Sequence, residues 1–275
     1  MSVALQPNTG LTGWWQVVAA TSVATFKRNN AYIINIIRIP IFPVGLFLTS
    51  YLAWNAAGVE TIEGVNVSGF LLAGMFGLIC WTSAVWETGS AIESERFEGT
   101  IAALFLSPAS RVAIVVGHGL GGLAFLIPSF ATVGLLGALT GARLNVASPA
   151  AVTLAALMLL VAALAMGFLL ASFFVLTRRA NLMANIIQHP LYLLGGFTIP
   201  RQELPGWLHA ISQAMPIAHA TDAFRASMLA SASVEDIAGA LLASLATSVV
   251  FMLIGLLGLR RVEHAAKRAG QLDLF

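Results

Sequence analysis

Six stretches of the chain are apolar for long enough to cross a bilayer: residues 32–54, 67–86, 112–140, 149–177, 182–199 and 237–259. A spanning helix needs about 20 mostly apolar residues, within a range of about 17–25. The third and fourth stretches exceed that range, which predicts tilted helices or helices that run on past the hydrocarbon. The fifth is the shortest. The pattern predicts an all-α membrane protein with six transmembrane helices, because a lipid-facing segment must satisfy its own backbone hydrogen bonds.

Ahead of the first stretch, Leu11, Trp14, Trp15, Val18, Ser22 and Phe26 gather near one helical face, opposite Thr12, Gln16 and Thr21. The apolar part is too short to cross, so residues 1–30 are expected to form an interfacial amphipathic helix anchored by the two tryptophans. An additional span is the alternative, and it would spoil the charge pattern. Residues 31–260 then make one six-span domain, and 261–275 a short cytoplasmic tail at the membrane surface.

Charge sets the orientation. With the N-terminus cytoplasmic, Lys27, Arg28, Arg96, Arg111, Arg178, Arg179, Arg260, Arg261, Lys267 and Arg268 lie inside, and only Arg143, Arg201 and Arg225 outside. An excess of Lys and Arg on the cytoplasmic side is the common rule, so both termini are expected to be cytoplasmic. No charge precedes Lys27, so the basic segment of a secretory signal is missing and the start reads as mature protein.

Composition sharpens this picture. Apolar residues make up 58% of the 275 and charged residues 9%, against about 25% charged in soluble domains. Little chain is left for a soluble domain. Twelve arginines against two lysines, in an Ala- and Gly-rich chain, suggest a GC-rich bacterial genome. The single cysteine, Cys80, excludes an internal disulfide or a cysteine metal cluster and reads as a buried hydrophobe. No basic block interleaved with aromatics marks a nucleic-acid surface.

Within the spans, Gly117 with Gly121 and Gly137 with Gly141 form small-xxx-small pairs that permit close helix approach. Pro40, Pro43, Pro128 and Pro190 each remove a backbone hydrogen bond and predict kinks. Arg38 is the one charge inside a span, close enough to the cytoplasmic end to snorkel or to contact a gate or substrate. Gln188 and His189, just before Pro190, are the other polar intrusion, with satisfaction by neighbouring helices and a place on a pathway both open.

Catalytic signatures are missing: there is no G-x-S-x-G, no H-E-x-x-H and no cysteine pair. A phosphate-cradling P-loop requires Gly-Lys, yet Lys27 follows Phe26 and Lys267 follows Ala266. If ATP drives this chain, another subunit binds it. The connection 87–111, ETGSAIESERFEGTIAALFLSPASR, is too long for a tight turn. Glu93, Glu95, Arg96 and Glu98 supply polar positions, Gly99 a break, and Ile101, Leu104 and Phe105 an apolar face before Pro108. Such an amphipathic helix, projecting from two spans, suits docking on a soluble partner; a solvated loop helix is the plain alternative.

At this connection the chain resembles the permease family of type 2 ATP-binding-cassette (ABC) transporters, through Glu93, Glu95, Arg96, Gly99, Thr100, Ser107 and Pro108. A second resemblance lies at 195–225, GGFTIPRQELPGWLHAISQAMPIAHATDAFR. The likeness implies a cytoplasmic coupling helix between spans 2 and 3, seated in a groove of a nucleotide-binding subunit, with Glu93, Glu95, Arg96, Glu98, Gly99 and Thr100 at or beside the contact. It also implies re-entrant external helices in 200–230. There Trp207, Leu208, Ile211 and Met215 form one apolar face, Pro216 ends that helix, and a second can run from Ala220 to Met228. Trp207 and Ile211 thereby join Arg38, Gln188 and His189 as candidate gate or pathway residues.

The resemblance further implies two permease chains, as a homodimer or a heterodimer, with two nucleotide-binding ATPase subunits holding ATP and Mg2+. No cofactor is expected on this chain itself. The implied setting is a bacterial cytoplasmic membrane, and the implied activity is export of an amphiphilic or hydrophobic substrate by alternating access. An ion-driven carrier is the competing reading; it would more commonly show acidic groups at the midplane and inverted repeats. An intramembrane enzyme ranks third, since no catalytic set is visible.

Overall fold

The computed structural model describes residues 11–31, 33–91, 93, 110–175, 177 and 180–269. Helix α1 (Leu11–Asn30) is followed by α2 (Ile33–Ala56), a short hairpin of β1 (Thr61–Ile62) and β2 (Val65–Asn66), and α3 (Val67–Ser83). A π-helical turn, Ala84–Gly89, continues α3 without a break. Then come α4 (Arg111–Phe125), α5 (Ile127–Leu139), α6 (Pro149–Phe174) and α7 (Ala180–Leu194). A 3-10 turn (Arg201–Glu203) leads to α8 (Gly206–Gln213), α9 (Pro216–Leu229) and the long α10 (Val234–Ala269).

Among the described residues, four stretches are long and apolar enough to cross a membrane: Val67–Gly89, Val112–Leu139, Pro149–Phe174 and Val234–Arg261. Helices α2 and α7 fall on the first and fifth apolar runs. The 15 residues of α7 reach about 22 Å at 1.5 Å per residue, short of the ~30 Å hydrocarbon core. Its expected extension to residue 199 is cut off where Gly195 and Gly196, the latter at φ +68, turn the chain.

Helix α3 is apolar on every side and occupies the centre, with nearly all its side chains buried, from Val67 to Trp81, as expected for a helix without a polar stripe. Its glycines admit neighbouring backbone. A Cβ on Gly74 would stand 1.9 Å from the carbonyl oxygen of Phe197, and one on Gly77 2.3 Å from the Thr221 hydroxyl. The segment after α7 is thus pressed into α3. On the lipid-facing side, α10 exposes Leu242, Val249, Leu253 and Leu257, while a Cβ on its Gly255 would meet the backbone of Phe168 in α6 at 2.6 Å.

Helix α1 packs lengthwise on α4. The predicted pair Gly117 and Gly121 is the seam: the first faces Val18 and Thr21, the second Ser22 and Thr25. The register advances in the same sense on both helices, so they run parallel. His118 Nδ1 accepts from the Thr25 hydroxyl at 3.2 Å and from the Arg28 guanidinium at 3.4 Å, which pins the end of α1. The pair Gly137 and Gly141 divides its work differently. Gly137 faces Leu72, whereas Gly141 has open space around it and φ +78, ending α5; the Ala142 N–H then closes back on the Gly137 carbonyl at 2.8 Å.

The third apolar run is two helices, not one. Pro128 lacks an N–H, and the chain tightens around Leu126, whose N–H bonds to the Leu123 carbonyl at 3.1 Å before α5 restarts. At the end of the hairpin, Asn66 caps α3 by accepting from the Gly69 N–H, and its amide donates to the Gly141 carbonyl at 2.7 Å. The β hairpin turns at Glu63 and Gly64, both at positive φ, as a two-residue hairpin turn of the primed kind requires.

Candidate functional site

The α4–α5 break and the π turn border a cavity of about 510 Å³, inside the ~300–1,000 Å³ range of small-molecule sites. Phe42 and Pro43 of α2 and Leu126 of the α4–α5 break form part of its apolar wall. Ser129 of α5 and Ser83 of α3 line it with hydroxyls that are buried and have no hydrogen-bond partner among the described residues. Gln188 of α7 closes one side, accepting from the Trp86 indole N–H at 2.8 Å. Three of the prolines singled out in the sequence stand at or beside this cavity: Pro43 lines it, Pro128 precedes Ser129, and Pro190 follows Gln188 by two residues.

Trp86 and Glu87 reach the cavity from the π-helical turn. An extra residue in a helical turn re-aims the side chains after it, and such turns are frequent at functional sites. Glycines on two neighbours receive this one: a Cβ on Gly119 of α4 or on Gly167 of α6 would meet Thr88, and one on Gly122 would meet Glu87 Cγ at 2.3 Å. The Glu87 carboxylate accepts from the Asn29 amide of α1 at 3.0 Å. The cavity wall is therefore mainly apolar, with one acidic group, Glu87, and four neutral polar side chains, Thr82, Ser83, Ser129 and Gln188.

On the opposite side of the bundle, the segment after α7 forms a cap held by buried charge. Asp222 of α9 pairs with Arg201 and, at 3.4 Å, with Arg225. Each guanidinium is only about 6% exposed. Arg225 also donates to the Gly196 carbonyl at 2.7 Å and lies 3.9 Å over the Phe70 ring of α3. Arg201 donates to Ser212 of α8, whose hydroxyl donates to the Leu194 carbonyl at 2.6 Å. Burial pulls the Arg225 guanidinium below its ordinary range; Asp222 and, less strongly, Glu63 oppose that shift, while Arg201 adds to it. Arginine keeps its proton regardless, so Asp222 acts as counter-ion to two cations.

The residues expected from the sequence to mark a gate or pathway do not form one group. Gln188 lines the cavity, whereas His189 is exposed and donates to the Asn185 carbonyl at 2.8 Å, edge-on to Tyr192. Arg38 sits in α2, its side chain outside the described residues. Trp207 and Ile211 lie on α8 but point outward, 68% and 47% exposed, while Leu208 and Met215 face the core. The expected single apolar face is thus split by Ser212, which is fully buried. Pro216 opens α9 at its first turn, where its missing N–H costs nothing.

Of the expected partner contact, Glu93 is helical, buried and engaged; Glu95, Arg96, Glu98, Gly99 and Thr100 lie outside the described residues, as do Ile101, Leu104, Phe105 and the Arg178–Arg179 pair. Two features escaped the sequence. Glu87 reads there as the first residue of a loop, and the π turn that keeps it on the helix has no sequence signature. Arg201 and Arg225 read as outside charges that merely set orientation; the spacing of Asp222 and Arg225 by three, on one helical face, is the signal that could have paired them.

Residues 14–229 match the family described as ABC-2 type transporter. The daunorubicin resistance ABC transporter permease protein DrrB1 of Streptomyces coeruleorubidus is 26% identical over 244 residues, covering 88% of this chain and 82% of that protein. ABC transporter G family member 20 of Dictyostelium discoideum is 29% identical over 161 residues, which span 58% of this chain and 22% of that longer protein.

Proposed function

The chain belongs to the ABC-2 type transporter family, and from that premise we propose that it is the membrane subunit of an ATP-driven exporter that moves an amphiphilic or hydrophobic substrate out of the cytoplasmic leaflet by alternating access. The coarse part of this reading, a multi-pass ABC exporter permease that leaves ATP hydrolysis to a separate subunit, follows from the family and from the permease relative. The finer part is the proposal.

In it, α2 and α7 complete a set of six spans, with both termini in the cytoplasm of a bacterial cell. Two copies of this chain, or this chain and a second permease, assemble with two nucleotide-binding subunits that hold ATP and Mg2+. The 87–111 connection carries the contact, with Glu93, Glu95, Arg96, Glu98, Gly99 and Thr100 at or beside it. A rigid-body tilt of that connection would move α3 and α4 together, and with them the walls of the cavity.

The observation that carries the transport reading is the cavity itself, framed by the proline-bearing α2 and α7, the α4–α5 break and the π turn. Helices broken beside a binding space can change their mutual angles without losing many backbone hydrogen bonds, because the breaks have already given them up. In this reading Trp207 and Ile211, exposed on α8, meet lipid or a second permease on the external side.

The test is affinity purification of the chain from its native host in mild detergent, with mass spectrometry of the partners and ATP hydrolysis measured on the eluate. A P-loop ATPase in roughly equal amount, whose inactivation stops export, is the expected result. The chain alone, without ATPase activity and with transport that collapses with the ion gradient, would replace this reading by an ion-driven carrier.

A further inference from the structure

We propose that the cavity at the π turn recognises an organic cation with an apolar body, with the Glu87 carboxylate as its counter-charge. The inference rests on the exporter reading for its meaning in transport, but the binding step stands on the cavity alone.

Glu87 is an acidic group on the wall of a space lined by Phe42, Ile79 and Leu126. Its hydrogen-bond partner is the neutral Asn29 amide, and among the described residues no lysine or arginine pairs with it. A carboxylate turned to an apolar space is costly unless something compensates it, and ionisable groups in membrane spans usually mark a substrate or ion pathway. The fold also makes room for this side chain: Gly122 stands where any Cβ would meet Glu87 at its Cβ and Cγ, 2.4 and 2.3 Å away. The stem of Glu87 is thus fixed against α4 while the residue lines the cavity.

The remaining polar atoms fit the same occupant. The hydroxyls of Ser83 and Ser129, only 2% and 0% exposed as residues, lack partners and can accept from N–H groups around a cationic centre. Phe42 and Trp86 offer ring faces, which attract cations once water is excluded. An anion would meet the Glu87 charge, and a neutral apolar molecule would bury the carboxylate unpaired. A metal ion is a poor fit for so wide and apolar a space, since hard cations need several oxygen ligands close together.

The experiment uses the chain copurified with its partner ATPase and reconstituted in lipid nanodiscs, with radiolabelled tetraphenylphosphonium as probe and empty nanodiscs as the background. Triphenylphosphine oxide, of similar bulk but uncharged, is the competitor. Saturable binding is expected at one site per chain, with no effective competition by triphenylphosphine oxide. Glu87→Gln is expected to weaken it by about tenfold or more, the scale of losing one partly buried charge pair. Glu87→Asp should keep the cation preference, which separates charge from a general loss of fold. Equal binding by Glu87→Gln, effective competition by triphenylphosphine oxide, or no saturable binding would overturn the proposal. Charge-blind binding with the ATPase present sinks this inference alone, whereas absence of an ATPase sinks the exporter reading and leaves the binding result standing.

Discussion

Gly122 of α4 lies so close to Glu87 of the π turn that a Cβ at position 122 would stand 2.3 Å from Glu87 Cγ. The obstacle is the root of the Glu87 side chain and not its mobile end, so it cannot swing aside without the turn shifting. Gly122→Val should therefore destabilise the bundle by about 1–3 kcal/mol, the usual cost of overpacking. A lower midpoint of thermal unfolding in detergent checks this. A midpoint equal to that of the unchanged chain would mean the π turn yields freely, and the fixed position of Glu87 would have to be given up.

The Trp86 indole and the Gln188 carboxamide make a single hydrogen bond across the cavity, at 2.8 Å. Gln188→Leu should leave the indole N–H without its acceptor, at a cost of about 1–3 kcal/mol. Removing both partners by Trp86→Phe with Gln188→Leu should be less damaging than the two single losses added together. Unfolding midpoints for the four proteins of this double-mutant cycle decide the matter. Strict additivity would show that the bond contributes nothing specific.

Much of the helical layout was legible in the sequence, because long apolar runs leave a chain few options in lipid. The spans at 67–86, 149–177 and 237–259 correspond to α3, α6 and α10 with shifted ends. Gly117 and Gly121, read only as a small-residue pair, turn out to receive α1. Details that depend on neighbours were not legible there. Whether Gly141 packs a helix or ends one depends on its φ, and whether Glu87 begins a loop or lines a cavity depends on a π turn stabilised by Gly119 and Gly167 from two other helices. The cap was half legible: its apolar and proline positions stood out, but the burial of Arg201 and Arg225 arises only when α9 folds against α3 and α8.

Helix α10 meets α6 at Gly255, where a Cβ would stand 2.6 Å from the Phe168 carbonyl carbon and 2.7 Å from the Leu169 nitrogen. Backbone does not step aside as a side-chain tip does. Gly255→Leu should force the two helices apart and lower the yield of folded protein, whereas Gly239→Ala, with open space at its Cβ position, should be tolerated. Size-exclusion profiles and melting midpoints of the two variants give the comparison. Similar behaviour of both would show that close approach at Gly255 is dispensable.

The coupling assignment makes a different kind of prediction, because Glu93 is itself buried while Glu95 is not among the described residues. Glu95→Lys should reduce stimulation of the partner ATPase and leave the melting midpoint of the membrane subunit unchanged. Glu93→Lys should lower both, since it also places a cation in a buried site. Normal ATPase stimulation by Glu95→Lys would remove that residue from the proposed contact.

Asp222 holds the cap together, since among the described residues it is the acidic partner of two guanidiniums that are each about 6% exposed. Asp222→Asn keeps the shape of the side chain but leaves Arg201 and Arg225 buried together without a counter-ion, and breaking such a group costs about 3–5 kcal/mol. The Ser212 and Gly196 acceptors remain, so the backbone of the cap keeps part of its support while its charge is uncompensated. The expected result is a cap that opens: faster cleavage within 195–230 by a protease added to the outside of spheroplasts, with a lower unfolding midpoint. Asp222→Glu should recover part of both. If Asp222→Asn resisted external protease as well as the unchanged chain, the hydrogen bonds to Ser212 and Gly196 would hold the cap without help, and the ion pairs would be incidental to its closure.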